Sequence, residues 1–462
     1  MFKSILRKIL PYRVILWTHK IRVVAAAVIY GFPAKKLVVI GVAGTKGKTT
    51  TCNFIAKVLE EGGFKVGMIT TANLKIGKKE WLNKVKMTTP SSFFIQKFLR
   101  EAVREKCDYA IIETTSHGLA QYRHWGINYQ IVVLTNLMPD HLDYHKTYEN
   151  YRDVHLKLFT SDLKTVVINA DDQGSAFFLK FPVKEKYIFT ITNNERFPEE
   201  IYHLSLITYH LSDDGSSFKV ATPCGSLDIN LSLPGKFNIY NALAAIGVGL
   251  SQGIKLEKNK SALEKIKGVP GRLEKIDLGH AFISKKMTGK QDFKVIVDYA
   301  HSPDSLKSFY EAVVPSAKGK VIVVLGACGD RDKTVRPILG KLAAEYADYV
   351  IVTNEDPYSE KPEDIIEQVS QGVEEAMKSK VKSMPSRAIG GQKSKAQFKI
   401  QKYYKILDRK EAIGKAINMA DEGDLVLITG KGAEQWIVWG NKKIPWDDRK
   451  VAREAIRKKL EK

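Results

Sequence analysis

Residues 41–50 read Gly-Val-Ala-Gly-Thr-Lys-Gly-Lys-Thr-Thr, between the apolar run Leu37-Val38-Val39-Ile40 and a helical pattern through Asn53-Phe54-Ile55-Ala56-Lys57-Val58-Leu59. Glycines at a strand-to-helix turn let backbone amides wrap a phosphate at the helix N-terminus. In such a loop Lys48 supplies charge to the β- and γ-phosphates, and the Thr49 hydroxyl completes a Mg²⁺ shell. The common Walker spacing wants glycine where this chain has Val42 and finds it at Gly44 instead. A glycine turn without a ligand is the alternative for an isolated pair. Strand, turn, Gly-Lys-Thr and helix in this order point to nucleotide binding.

A second constellation follows two further apolar runs. Tyr109-Ala110-Ile111-Ile112 delivers Glu113-Thr114-Thr115-Ser116-His117-Gly118, and Ile131-Val132-Val133-Leu134 delivers Thr135-Asn136 and then Asp140-His141-Leu142-Asp143-Tyr144-His145. Both clusters fall at the carboxyl ends of strands, where ligands of a doubly wound sheet bind. Glu113 offers the carboxylate oxygen that Mg²⁺ prefers, and a buried, unpaired carboxylate there would be costly. His141 is a less usual ligand for so hard an ion. His117 and His145 fit satisfied core or capping histidines as well as they fit ligands.

The elements that must hold these residues alternate short β-branched runs with longer helical patterns, the signature of βα units on a parallel sheet. Val66–Ile69 and Thr165–Ile168 complete the first series. A second series, after about residue 272, comprises Val295–Val297, Val321–Leu325, Tyr349–Val352 and Leu425–Ile428. The expected fold class is therefore α/β: a central P-loop ATPase domain with a parallel sheet, then a C-terminal Rossmann-like α/β domain. The expected boundaries are 1–36 for a basic N-terminal helical segment, 37–270 for the central domain and 271–462 for the C-terminal domain. Residues 203–232 read as a β-meander appended to the central domain, and 378–407 as a basic surface insertion.

The 462 residues carry 73 Lys plus Arg against 51 Asp plus Glu, a formal +22. Residues 1–36 hold eight cations and no acid, and residues 378–407 hold nine and no acid, leaving only five of that excess elsewhere. A nucleic-acid protein spreads basic residues over a groove-facing surface, so two isolated runs argue against one. Cys52, Cys107, Cys224 and Cys328 show no zinc or disulfide spacing and fit a reducing, cytoplasmic setting. The apolar run Val23–Ala34 is too short to span a bilayer. A signal peptide is the competing reading of the basic start, set aside because the phosphate loop consumes a cytosolic nucleotide. Phe2, Ile5, Leu6, Ile9 and Leu10 recur at helical spacing among cations, so residues 1–32 suit peripheral contact with anionic lipid at the inner face of a membrane. A helix packed on the central domain with its basic face in water is the alternative.

At these residues the chain resembles the Mur ligases, and within them the UDP-N-acetylmuramoyl-tripeptide synthetases that add the third residue of the peptidoglycan stem. Gly41–Thr50 resembles the family's G-V-T-G-T-N-G-K-T-T, with Lys46 where Asn is usual, Glu113–Leu119 resembles E-V-S-S-H-G-L, and Thr135–His145 resembles T-N-L-x-x-D-H-L-D-Y-H. Further on, Pro234–Asn241, Gly268–Glu274, Asp298–Asp304, Gly329–Asp332 and Gly430–Gly432 resemble the family's segments in family order, over roughly residues 37–455. Folylpolyglutamate synthetases share the phosphate loop but differ around the Ser-His-Gly-Leu and Asp-Tyr-Ala-His segments.

The resemblance implies an ATP-dependent, ADP-forming amide ligase. A substrate carboxylate attacks the γ-phosphate of ATP, and an amine displaces phosphate from the acyl phosphate. It implies Lys48, Glu113, His141 and His155 as catalytic residues, with Thr49, Glu113 and His141 on Mg²⁺. Gly44, Thr45, Lys46, Gly47, Lys48, Thr49, Thr50, Asn241, Arg272 and Asp298 would bind ATP. Thr115, Ser116 and Arg123 would hold the acceptor peptide, and Arg331, Asp356 and Glu434 the incoming amino acid. The implied partners are thus a nucleotide-linked peptide and an amino acid, diaminopimelate, lysine or similar, with no nucleic acid.

Four departures bear on this. The family places a uridine-nucleotide domain before the phosphate loop, whereas the loop here opens at residue 41, so a ligase lacking that domain is expected. Where the family carries a carbamylated lysine in Y-x-x-A-K, this chain has Tyr151-Arg152-Asp153-Val154-His155. Lys157 lies about 200° around a helix from that position and cannot substitute; His155 is expected to contact the phosphate or orient a metal-bound water. Diaminopimelate-adding members have D-N-P-R where Glu355-Asp356-Pro357-Tyr358 stands, which leaves lysine or ornithine as candidate amines beside diaminopimelate. Val335 and Ala433 replace a usual lysine and histidine. The alternatives to a cell-wall peptide ligase are a Mur-like ligase for another carboxylate and a nucleotide-binding partner subunit without ligase activity.

Overall fold

A computed structural model describes residues 12–192, 197–198, 200–212, 214–278, 291–382 and 400–461, with side chains left out at 12–19, 143 and 380–382. The chain divides into two compact units, Met1–Lys267 and Gly268–Lys462. Most of the basic insertion, at 383–399, and the apolar residues Phe2 to Leu10 lie outside the described residues.

The first unit is built on one eleven-stranded sheet. Its strands are β1 (Val38–Ala43), β2 (Val66–Ile69), β3 (Asn73–Ile76), β4 (Lys79–Leu82), β5 (Tyr109–Glu113), β6 (Ile131–Leu134), β7 (Thr165–Asn169), β8 (Glu185–Thr190), β9 (Tyr202–Ser212), β10 (Gly215–Thr222) and β11 (Gly225–Leu231). Their order is β11-β10-β9-β8-β7-β6-β1-β5-β2-β3-β4. The run from β9 to β2 is parallel, and both ends are antiparallel. β1 at the centre is buried from Val39 to Ala43 because helices cover both sheet faces, which is why such strands read as unbroken apolar runs. The meander expected at 203–232 is β9 to β11, joined to the parallel sheet through β8. The helices used below are α1 (Tyr12–Tyr30), α2 (Lys48–Gly62) and α3 (Ser92–Arg104). Hairpin β3–β4 carries too many polar residues to read as strands in sequence.

The second unit carries a six-stranded sheet in the order β12-β13-β17-β14-β15-β16, formed by β12 (Glu274–Lys275), β13 (Lys294–Asp298), β14 (Val321–Leu325), β15 (Tyr349–Thr353), β16 (Lys402–Ile406) and β17 (Leu425–Thr429). All but β12 are parallel. A separate hairpin, β18 (Trp436–Trp439) with β19 (Lys442–Pro445), follows β17. Both units thus have the α/β class expected from the alternating runs.

Candidate active site

β1 is paired directly to β5 and β6, so the phosphate loop, Glu113 and Thr135-Asn136 emerge side by side at one sheet edge. Gly44 and Gly47 take positive φ, 138° and 82°, and an added Cβ would lie 2.2 Å from Thr135 Oγ1 and 2.5 Å from Asn241 Oδ1 respectively. Only glycine fits either position. The loop is held open from outside: Thr45 N donates to Asn136 O at 2.7 Å, Lys46 N to Asn136 Oδ1 at 2.9 Å, and the Thr45 and Tyr151 hydroxyls meet at 2.7 Å. Lys48 Nζ donates to Gly44 O and Thr45 O, both at 2.8 Å, which sets its ammonium at the loop mouth.

Behind the lysine, Thr49 Oγ1 donates to buried Glu113 at 2.9 and 3.0 Å. The same carboxylate accepts from Thr71 N at 2.7 Å and Thr71 Oγ1 at 2.9 Å. Thr50 is buried in the first turn of α2, and Thr51 Oγ1 donates to Asn241 Oδ1 at 3.0 Å, which brings Asn241 to the loop from a helix far along the chain.

The histidines form an aromatic chain. His117 lies 4.6 Å from His141, 4.4 Å from Tyr144 and 5.5 Å from His145 between ring centroids; Tyr151 lies 5.5 Å from His145 and 5.4 Å from His155. His141 is exposed and sits at φ 53°, a conformation that a non-glycine residue adopts at a cost and that recurs at functional sites. His155 is wholly buried on a 3₁₀ turn, Val154–Leu158. Its Nδ1 lies 3.0 and 3.2 Å from the carbonyls of Tyr151 and Arg152, so Nδ1 carries the proton and Nε2 is the bare atom, buried without a hydrogen-bond partner. Burial first, then the nearby charges of Lys48 and His145, outweigh those two carbonyls and depress its pKa to about 4. Lys157 points elsewhere, donating to Leu119 O at 3.0 Å above the Tyr122 ring.

The residues assigned to the acceptor peptide gather around Thr89. The Thr115 hydroxyl caps the helix at Ser116 and lies 2.9 Å from Thr89 Oγ1; Arg123 donates to Thr89 O at 2.5 Å and to Gln121. Ser116 is buried beside them. Thr71 and Thr89 went unmarked in sequence, although the Thr-Thr-Pro run at 88–90 offered a signal for Thr89, and Asn136 and Tyr151 stand in motifs that give no sign of their part in holding the loop.

In the second unit, Asp298 accepts from the amides of Leu273 and Ala300, both at 2.7 Å, and Arg272 stacks 4.3 Å from the Tyr299 ring. Burial raises the pKa of Asp298 against the pull of Arg272. Arg331 is exposed on the turn after β14. Lys431 is fully buried, donating to Asp356 at 2.8 Å and Glu434 at 2.7 Å, while Val438 N donates to the other Asp356 oxygen at 2.8 Å. Burial disfavours that ammonium, yet Glu434, Asp356 and Glu355 hold its pKa above the ordinary value. Beside them Glu355 accepts from Cys328 Sγ at 3.2 Å, its Oε2 has no hydrogen-bond partner, and burial raises its pKa.

Residues 42–249 match the Mur ligase middle domain, and residues 284–432 match the Mur ligase glutamate ligase domain. The UDP-N-acetylmuramoyl-L-alanyl-D-glutamate–2,6-diaminopimelate ligase of Syntrophomonas wolfei is 37% identical over 439 residues, 94% of this chain and 81% of that protein. A UDP-N-acetylmuramyl-tripeptide synthetase of a Roseiflexus species is 36% identical over 447 residues, 93% and 81%. A solved diaminopimelate ligase superposes with a TM-score of 0.57 at 28% identity, covering 91% of this chain and 78% of that one. The Mycobacterium tuberculosis folylpolyglutamate synthase reaches 0.64 at 15% identity, covering 89% and 92%, a likeness of fold alone.

Proposed function

The chain belongs to the Mur ligase family and is a ligase, and we propose from that premise that it joins an amino acid to a UDP-N-acetylmuramoyl-L-alanyl-D-glutamate acceptor, cleaving ATP to ADP and phosphate. The amine is 2,6-diaminopimelate, as in the named relatives, with lysine and ornithine as its competitors. The acceptor carboxylate attacks the γ-phosphorus and ADP leaves; the amine nitrogen then attacks the acyl carbon, loses a proton and expels phosphate.

One observation carries this reading: Glu113 is buried with its two oxygens on Thr49 and Thr71 beside the Lys48 ammonium. Hydroxyl and carboxylate oxygens are the donor set that Mg²⁺ takes, so Thr49 and Glu113 fit as its holders, and His141 joins them only as the resemblance implies. When bound, the ion offsets negative charge that develops on the transferred phosphoryl group. The chain's own residues do the rest. Gly44 to Thr50 offer amides to the phosphates, and Lys48 turns its ammonium to the γ-phosphate. His155, whose Nε2 is bare, would contact the phosphate or orient a water beside it once nucleotide is bound. Arg272 and Asp298 serve the nucleotide, and Thr115, Ser116 and Arg123 hold the acceptor.

The enzyme works in the cytoplasm, and its N-terminal segment touches the membrane peripherally. Phosphate release with this acceptor and each of diaminopimelate, lysine and ornithine, followed by mass spectrometry of the product, tests the reaction. Absence of phosphate release with every amine refutes it in favour of a nucleotide-binding subunit.

A further inference from the structure

The described part of α1 shows an arrangement that the basic composition alone does not give. On a helical wheel at about 100° per residue, Val24, Val28, Ile21, Ala25 and Ile29 fall in one arc of roughly 140°. Ile21, Val24, Val28 and Ile29 are 54%, 39%, 59% and 67% exposed. Val23, Ala26 and Ala27 occupy the opposite arc and are buried, with Ala27 against Gly126. Exposed Lys20 and Arg22 stand at the two seams between the arcs. The helix therefore packs on the first unit, as the alternative reading had it, but presents an apolar stripe to water rather than a basic face. Four large apolar side chains left in solvent on one helix face mark a binding surface.

A cleft of about 380 Å³ continues that stripe, lined by Val28, Ile29, Tyr30 and Gly31 of the α1 end and by Lys97, Arg100, Glu101 and Arg104 of α3. Three cations and one acid thus rim the two most exposed apolar residues. Apolar side chains ringed by cations, in a segment whose first acid is Glu60, match an interface of acyl chains beneath anionic headgroups. No helix among the described residues is long and apolar enough to cross a membrane, which leaves an in-plane mode.

We infer that the outward stripe of α1 and the α3 cleft form one docking surface for an anionic bilayer, with Val28 and Ile29 in the acyl boundary and Lys97, Arg100 and Arg104 on lipid phosphates. This rests on the peripheral-contact reading of residues 1–32 above and moves its emphasis from the apolar residues Phe2 to Leu10 to the helix end at Val28–Ile29.

Cosedimentation of the full chain with phosphatidylcholine vesicles, with and without phosphatidylglycerol, tests it. Binding is expected only to the anionic vesicles, weakening as salt rises. V28E/I29E is expected to weaken it roughly tenfold or more, as buried apolar surface is lost. K97E/R100E/R104E is expected to weaken it and flatten the salt dependence. None of these residues serves the ligase site, so phosphate release with a soluble acceptor should persist in every variant. If I5E/I9E abolishes vesicle binding while V28E/I29E leaves it intact, peripheral contact stands and this surface falls. Binding to neither vesicle overturns both, and a dimer dissolved by V28E/I29E in light scattering assigns the stripe to a second copy instead.

Discussion

Replacing His155 with leucine separates stability from function at a position where the two pull apart. The imidazole is fully buried, its Nδ1–H is held by two carbonyls at 3.0 and 3.2 Å, and Nε2 has no hydrogen-bond partner. Leucine forfeits the Nδ1 hydrogen bonds, about 1 kcal/mol, and relieves an unsatisfied buried nitrogen worth about as much, so at pH 7 the variant should lie within about 1 kcal/mol of the parent. Acid changes the balance. Burial depresses the folded pKa from 6.5 to about 4, with Lys48 and His145 opposing a charge there as well. The unfolded chain therefore takes up the proton first, and the folded state loses stability as pH falls from about 6.5 to about 4. Between pH 7 and pH 5 the loss from this one group is about 2 kcal/mol.

The leucine variant should thus become about 2 kcal/mol more stable than the parent at pH 5. Hydrogen exchange in peptides from β7 and from Val154–Leu158, corrected for intrinsic rates, reads the first unit alone. At pH 7 the same variant should lose ATP turnover by about a hundredfold on the proposed role of Nε2 as a hydrogen-bond acceptor in the reaction. A pH-independent stability difference would refute the buried neutral imidazole. Undiminished turnover would refute its role.

Lys48→Ala should fold normally, since its partners are loop carbonyls, yet lose ADP formation by about a thousandfold in a coupled assay. Gly44→Ala places a Cβ 2.2 Å from Thr135 Oγ1 at φ 138°, which should cost about 1–3 kcal/mol and weaken nucleotide binding in calorimetry. Asp448→Asn strips the partner, at 2.7 Å, from fully buried Arg409 and should destabilise the second unit by about 3–5 kcal/mol in urea, whereas joint replacement by Met and Leu should be near neutral. Glu355→Gln should raise the KM for the amine about tenfold with kcat little changed; an unchanged KM removes Glu355 from the amine site.

The parallel strands were legible because helices on both faces turn each into an unbroken apolar run, as Val321–Leu325 shows. The phosphate loop was legible because its parts are contiguous in sequence. The polar frame around it was not: Tyr151 reaches Thr45 across 106 positions and Asn136 reaches Lys46 across 90, and no local pattern encodes such pairs. Hairpin β3–β4 was missed for a related reason. Asn73 is buried only because Asn53, Thr70 and Glu80 receive its polar atoms, a tertiary circumstance that overrides its poor strand propensity.

The same distinction between a residue's type and its commitments decides how the second unit can recognise an amine. In sequence, Asp356 is an acid beside the place where related enzymes hold a second carboxylate, and it reads as a partner for a diamine. In the fold both its oxygens are engaged, one by the Lys431 ammonium and one by the Val438 amide. Lys431 is itself shared with Glu434, so two carboxylates and one ammonium lie close together, leaving a net single negative charge. Drawing Asp356 toward an incoming amine would strand part of a fully buried ammonium, a cost of several kcal/mol that one exposed amine cannot repay. Glu355 differs: its Oε2 has no hydrogen-bond partner, and it lies where a Gly430 Cβ would be 2.2 Å away, so the glycine keeps space open against that carboxyl. A cation arriving there gains a partner without breaking one. Glu355, framed by Asp356 and Lys431, is therefore expected to set the amine preference, and the KM of Glu355→Gln checks it.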